Sequence, residues 1–236
     1  MFKFKKVDLS GLQASKLAYM NYVFRNCYSL EEVNFHNLQF NSIVGMEGLF
    51  QNCNKLSILD VNFDNTYKLN NIRNMFLNCH SLESINLEKM DTSLVTQMSS
   101  VFKKCYNLKN LKFNFNTDKV INMDSLFDNC ISLEVLDLSK FNTENVVNMS
   151  YIFNNCTSLT SLVVSNFNTN KVKEINNMCY GCSSLKYLDI SSFNTNNCPK
   201  YDSMFDGCFN LTLKLDKEKC ANIYRNLPNY ITVDVN

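Results

Sequence analysis

Eight cysteines, Cys27, Cys53, Cys79, Cys105, Cys130, Cys156, Cys182 and Cys208, follow one another at intervals of 26, 26, 26, 25, 26, 26 and 26 residues. A beat this regular is an internal repeat. It commits the chain to a stack of equal coils, each burying its apolar side against its neighbours. The frame around the cysteine recurs with it. Phe24, Phe50, Phe76, Phe102, Phe127, Phe153 and Phe205 stand three residues before it, with Cys179 in the remaining slot. Leu30, Leu56, Leu82, Leu108, Leu133, Leu159, Leu185 and Leu211 stand three after.

The unit from Cys130 to Asn155 shows how one coil reads. Leu136, Asp137 and Leu138 alternate as a short, half-buried strand does. Phe141-Asn142-Thr143 then turns the chain, and the same triplet recurs at 115–117, 167–169 and 193–195. Beyond it Val146, Met149, Ile152 and Phe153 fall at i, i+3, i+6 and i+7, one face of a helix. That spacing predicts a short helix with Thr143 as its N-cap. Asn26, Asn52, Asn78, Lys104, Asn129, Asn155, Gly181 and Gly207 immediately precede the cysteines, and Asn exchanging with Gly marks a left-handed helix C-cap. Nine positions per coil then point inward: the cysteine, three strand residues, the turn Phe and four from the helix.

The expected fold class is an α/β repeat solenoid of right-handed leucine-rich repeat type. A parallel β-sheet lines one face and short helices the other, in about nine coils plus a C-terminal cap. Residues 1–215 form the solenoid, with the first strand near Phe4–Leu9. Residues 216–236 form the cap, from a helical stretch Lys217–Asn226, Pro228 and a last strand Tyr230–Val235. No matching cap precedes the first coil. Its open edge would need a partner, a missing segment or the charge of Lys3, Lys5 and Lys6 for protection, and the protein is a monomer or associates edge to edge through this coil.

Composition narrows the function. The formal charge of +1 comes from 23 basic and 22 acidic residues spread along the chain, so the basic stripe of a nucleic-acid binder is missing. No run of 18 apolar residues exists to make a transmembrane helix. Met1-Phe2-Lys3-Phe4-Lys5-Lys6 is basic without the apolar run of a signal peptide, which points to a cytoplasmic chain. Cys179 and Cys182 make a C-x-x-C, with Cys198 one segment later, but no His lies beyond His80 to complete a zinc site. They read as core substitutions, and the repeat cysteines as reduced packing residues whose parallel side chains do not converge into disulfides. His36 and His80 sit at different points of the frame, and the five glycines form no phosphate loop. No catalytic residue, cofactor or metal is expected, and the chain does not read as an enzyme.

What remains is the outward strand surface. One row reads Asp8, Asn34, Asp60, Asn86, Lys112, Asp137, Val163, Asp189, and its neighbour Glu32, Ile58, Ser84, Asn110, Val135, Ser161, Tyr187. The candidate residues for holding a protein or glycan partner are Asn34, Asp60, Asn86, Lys112, Asp137, Asp189 and Tyr187.

The whole frame is L-x-x-L-x-L, then F-N-T-x-x-V-x-x-M-x-x-M/I-F-x-x-C-x-S-L. Over essentially residues 1–215 it resembles the 26-residue repeat of BspA-like leucine-rich repeat surface proteins of bacteria, including mycoplasma, and of parasitic protists. The resemblance implies a leucine-rich repeat solenoid and a non-catalytic role. It also implies a cell-surface or extracellular location with adhesion or host-protein binding. The alternative is an intracellular repeat protein that holds a protein partner in the cytoplasm.

Overall fold

The computed structural model describes residues 4–12 and 15–235; Lys3 lies outside them. Each coil contributes one short strand: β1 (Lys6–Asp8), β2 (Glu32–Asn34), β3 (Ile58–Asp60), β4 (Ser84–Leu87), β5 (Asn110–Phe113), β6 (Val135–Asp137), β7 (Ser161–Val163), β8 (Tyr187–Asp189) and β9 (Thr212–Leu215). A five-residue helix, α1 (Ala221–Arg225), and a last strand, β10 (Thr232–Val235), follow. All pairings are parallel. Lys6, Glu32 and Ile58 stand side by side, as the repeat requires. The hydrogen-bonded sheet is divided into β1-β2-β3, β4-β5, β6-β7 and β8-β9-β10.

All nine inward positions of the type coil, Cys130, Leu133, Leu136, Leu138, Phe141, Val146, Met149, Ile152 and Phe153, are buried. Like residues stack on like. The rings of Phe24, Phe50, Phe76, Phe102, Phe127 and Phe153 lie nearly parallel, with successive centroids 5.5 to 6.1 Å apart. The thiols stack with them and also hydrogen-bond. Cys156 Sγ donates to the Phe127 carbonyl of the preceding coil at 3.1 Å, which also accepts the Cys130 N–H at 3.0 Å. The same contact recurs at Cys53, Cys79, Cys105, Cys130 and Cys182. A small apolar side chain carrying one donor suits this slot.

The second face differs from expectation. The Val146–Asn155 segment buries the expected side chains, but it is a run of turns and not a helix. The N–H groups of Met149, Tyr151, Phe153 and Asn155 donate to Glu174, Asn176, Met178 and Tyr180 of the next coil at 2.7 to 3.0 Å. An N–H given to the neighbouring coil is not available to the carbonyl four residues back. Asn154 and Cys156 close tight turns on Tyr151 and Phe153 instead. Tyr151 and Asn155 have φ of +59° and +54°, and a left-handed residue every fourth position ends any helix. The residues before the cysteines are therefore left-handed, as Asn and Gly indicated, without capping a helix. Parallel bridges tie this back face together from Tyr19 through Gly45, Asn71, Gln97, Asn122, Asn148 and Glu174 to Lys200.

Thr143 is likewise no N-cap. Its buried hydroxyl accepts the Asn168 N–H at 2.7 Å and donates to the Asn168 carbonyl at 3.0 Å, clamping one coil to the next. Thr117 and Thr169 do the same. At the C-terminal end, helix is confined to α1, a shorter element than Lys217–Asn226.

Candidate interaction surface

In strands this short the middle residue enters the core, so the flanking positions face outward. They form two rows in register: Asp8, Asn34 and Asp60; Asn86 and Lys112; Asp137 and Val163; Asp189, Lys214 and Asp234 in the first. All seven candidate residues lie on this face, but the breaks in the sheet divide them. Asn34 and Asp60 share one panel and Asn86 and Lys112 the next; Asp137 lies on the third, Tyr187 and Asp189 on the last.

Most of the first row already has structural work. The side-chain oxygens of Asp8, Asn34, Asn86, Asp137 and Asp189 accept the N–H two residues ahead, from Ser10, His36, Glu88, Ser139 and Ser191, at 2.7 to 2.9 Å. These are Asx turns that steer the chain out of the strand. Ser139, through its hydroxyl and N–H, holds the Asp137 carboxyl below its ordinary range. Partial burial pushes the Asp189 carboxyl up, but Ser191 and the Lys214 ammonium at 3.3 Å leave it below the ordinary range. A row so rich in Asp and Asn at strand exits was the signal for this role.

Lys112 and Tyr187 make no side-chain hydrogen bond among the described residues. Tyr187 is 49% exposed, and Val135, two strands away on the same face, is 62% exposed. The 25-residue interval has its cause here: Phe113-Asn114-Phe115 turns with one residue where Leu138-Ser139-Lys140-Phe141 uses two. At that coil β5 and β6 part. The cleft between them is lined by Glu88, Lys112, Phe113, Val135, Asp137 and Lys140. A second opening, where β7 and β8 part, is lined by Ser161, Val163, Tyr187 and Asp189. The first cleft has an apolar floor rimmed by charges of both signs and the second an apolar floor rimmed by hydroxyls and Asp189, which suits a polypeptide or sugar surface more than a small apolar ligand.

Cys179 fills the buried slot of the repeat Phe, and Cys208 Sγ donates to its carbonyl at 3.0 Å. Cys198 is buried, with Sγ 3.4 Å from the Lys200 carbonyl. Among the described residues no three His, Cys, Asp or Glu side chains gather as metal ligands, and no helix is long and apolar enough to cross a membrane.

Parallel coils around ladders of Leu, Phe and Cys, with a solvent-facing sheet, define a repeat-scaffold protein of leucine-rich type. The pattern of the family described as "Mycoplasma protein of unknown function, DUF285" matches residues 1–110, 70–186 and 135–229, and the chain belongs to that family. These overlapping matches agree with the BspA-like repeat seen in the sequence. Among solved structures, a leucine rich cell surface protein from Faecalibacterium prausnitzii A2-165 aligns at 16% identity with a TM-score of 0.37. That alignment covers 91% of this chain and 76% of the other. No curated protein matches.

Proposed function

We propose that the chain is a non-enzymatic protein-recognition scaffold, an adhesin-like surface module that holds a protein or glycan partner on its strand face. Residues 1–215 act as the recognising solenoid and 216–236 as its cap. The carrying observation is that the inward rows scarcely change from coil to coil, whereas the exposed rows change in charge and size and open into a cleft at the β5–β6 step. Partner discrimination in a repeat stack must come from residues outside the repeated frame.

The test uses labelled protein on host cells and on glycan arrays, comparing the parent with Lys112→Glu, Val135→Arg and Tyr187→Ala. Exposed substitutions shift stability by about 0.5 kcal/mol or less, so folding serves as the control. Binding should fall by about 10-fold or more, as loss of an interface anchor does. Unchanged binding by all three folded variants would remove the strand face from the reading.

A second reading rests on one observation: all eleven cysteines are free thiols. Disulfides are rare where thiols are kept reduced, so the same scaffold could serve a partner inside the cell. Protease treatment of intact producing cells separates the two, because only a surface module is digested.

A further inference from the structure

On the back face the N–H groups of alternate residues from Met20 to Gly181 are taken up by carbonyls of the following coil, and the corresponding row after Gly181 is the exception. Ile175, Asn177, Cys179 and Gly181 donate their N–H groups to the carbonyls of Lys200, Asp202, Met204 and Asp206. The corresponding row one coil later is Tyr201, Ser203, Phe205 and Gly207. The Gly207 N–H donates to the Tyr230 hydroxyl at 2.9 Å. Those of Tyr201, Ser203 and Phe205 meet no acceptor among the described residues.

The sequence length explains why. The paired residues Thr212 and Thr232 of β9 and β10 are 20 positions apart, whereas Lys6 and Glu32 are 26 apart. The shortfall falls where the next back-face row would lie, and α1 with Leu227-Pro228 bridges the gap. It leaves a cleft lined by Tyr201, Ser203, Phe205, Asp206, Ile223 and Leu227, among others. Main-chain donors without a protein partner in an open cleft are free to take an acceptor placed there.

The stack itself shows what fits: a polypeptide whose alternate carbonyls face the donors, as in every coil from Met20 to Gly181. Charge narrows the choice. Asp202 and Asp206 alternate with the open donors, and neither carboxylate has a hydrogen bond or ion pair among the described residues. In the two rungs before it, side chains pair across the coils, Lys200 Nζ on Glu174 at 2.6 Å in the nearer and Ser150 Oγ on Asn176 Oδ1 at 2.8 Å in the one before. We propose that this cleft captures a short segment of a partner polypeptide. Its main-chain carbonyls accept from Tyr201, Ser203 and Phe205, and its Lys or Arg side chains, four residues apart, pair with Asp202 and Asp206. The site lies apart from the strand face and stands or falls independently of it.

Amide hydrogen exchange of the full chain tests this, with octapeptide probes carrying two lysines four residues apart in an alanine–serine background, and glutamate counterparts. In the free protein the amides of Tyr201, Ser203 and Phe205 should exchange at least about 100-fold faster than those of Ile175, Asn177 and Cys179. The lysine peptide should slow those three, and Asp202→Asn with Asp206→Asn should weaken its binding about 10-fold or more with the melting temperature unchanged. Three amides already protected in the free protein would overturn the proposal. So would a lysine peptide that binds no better than its glutamate counterpart. Protection that grows with protein concentration and no peptide would assign the cleft to a second copy of the chain instead.

Discussion

A Thr143→Val substitution removes one hydroxyl and almost no volume, and so isolates the clamp between neighbouring coils. Thr143 is 1% exposed, and its hydroxyl serves both main-chain groups of Asn168, at 2.7 and 3.0 Å. Valine leaves an N–H and a carbonyl unpaired together. Each orphaned buried group costs about 1–3 kcal/mol. Asn168 is half-buried, so water relieves part of this, and the sum comes to about 2–3 kcal/mol. In a chain of this size that lowers the melting temperature by about 4–12 °C. Thr143→Ser keeps both bonds and loses one methyl, about 1 kcal/mol. Thr143→Asn separates the clamp from a helix cap, because Asn caps a helix as well as Thr does but does not fit a buried slot shaped for Thr. Calorimetry and urea melts of the three variants should rank them Ser, then Val, with Asn no better than Val. Thr117→Val serves as a replicate, since Thr117 binds Asn142 in the same way at 2.8 and 2.9 Å. A Thr143→Val protein within about 0.5 kcal/mol of the parent, or an Asn variant as stable as the parent, would refute the clamp.

Burial pushes the thiols of Cys53, Cys105 and Cys208 up to about 12 and those of Cys79 and Cys130 well above their usual value. A thiol reagent at pH 8 should therefore reach half-buried Cys27 first and all eleven only on unfolding; several sites reacting at the Cys27 rate would contradict the packing. Asn129 has φ of +61°, so Asn129→Gly should be tolerated, while Asn129→Ala should cost about 1 kcal/mol and more than Asn145→Ala in urea melts. The reverse order would misplace the left-handed position. The folded Asp137 carboxyl is lowered, so its contribution is present above the ordinary unfolded value of about 3.9 and is lost as pH falls through the folded value. The melting-temperature gap between the parent and Asp137→Asn should accordingly close below about pH 4; a gap that widens on acidification would show the sign is wrong.

Much of this architecture was legible because the repeat states each inward position many times. Leu136, Leu138, Phe141, Met149 and Phe153 are buried where the frame placed them. The back-face backbone was not legible, and the reason is physical. Apolar residues at i, i+3, i+6 and i+7 mark one side of the chain, but periodicity does not say where the N–H groups go. A neighbour stacked at the right height took them from the helix. Thr143 was misread for the same reason, since a cap and a clamp both need a hydroxyl and only the next coil distinguishes them. On the strand face, location was legible and employment was not. Asp137 and Asp189 point outward as expected, yet their oxygens are held by Ser139 and Ser191. A reversal such as Asp137→Lys would disturb a turn as well as a surface, which is why Lys112, Val135 and Tyr187 are the cleaner probes.

The back-face bonds also give the stack a direction with consequences at both ends. The alternate residues from Met20 to Gly181 donate their N–H groups toward the C-terminal neighbour, whereas Val44, Asn70, Thr96, Ile121, Val147 and Lys173 at the start of the face donate the other way. The first coil therefore leaves the carbonyls of Tyr19, Asn21, Val23 and Arg25 without a donor among the described residues, whereas the far end leaves the N–H groups of Tyr201, Ser203 and Phe205. Association that uses the back-face rows must run head to tail, and a head-to-tail contact does not close by itself. The six-residue shortening before β10 lets the cap cover the Gly207 donor and places α1 across that route. Extending the solenoid end to end is thereby obstructed, while an isolated segment can still reach the open donors.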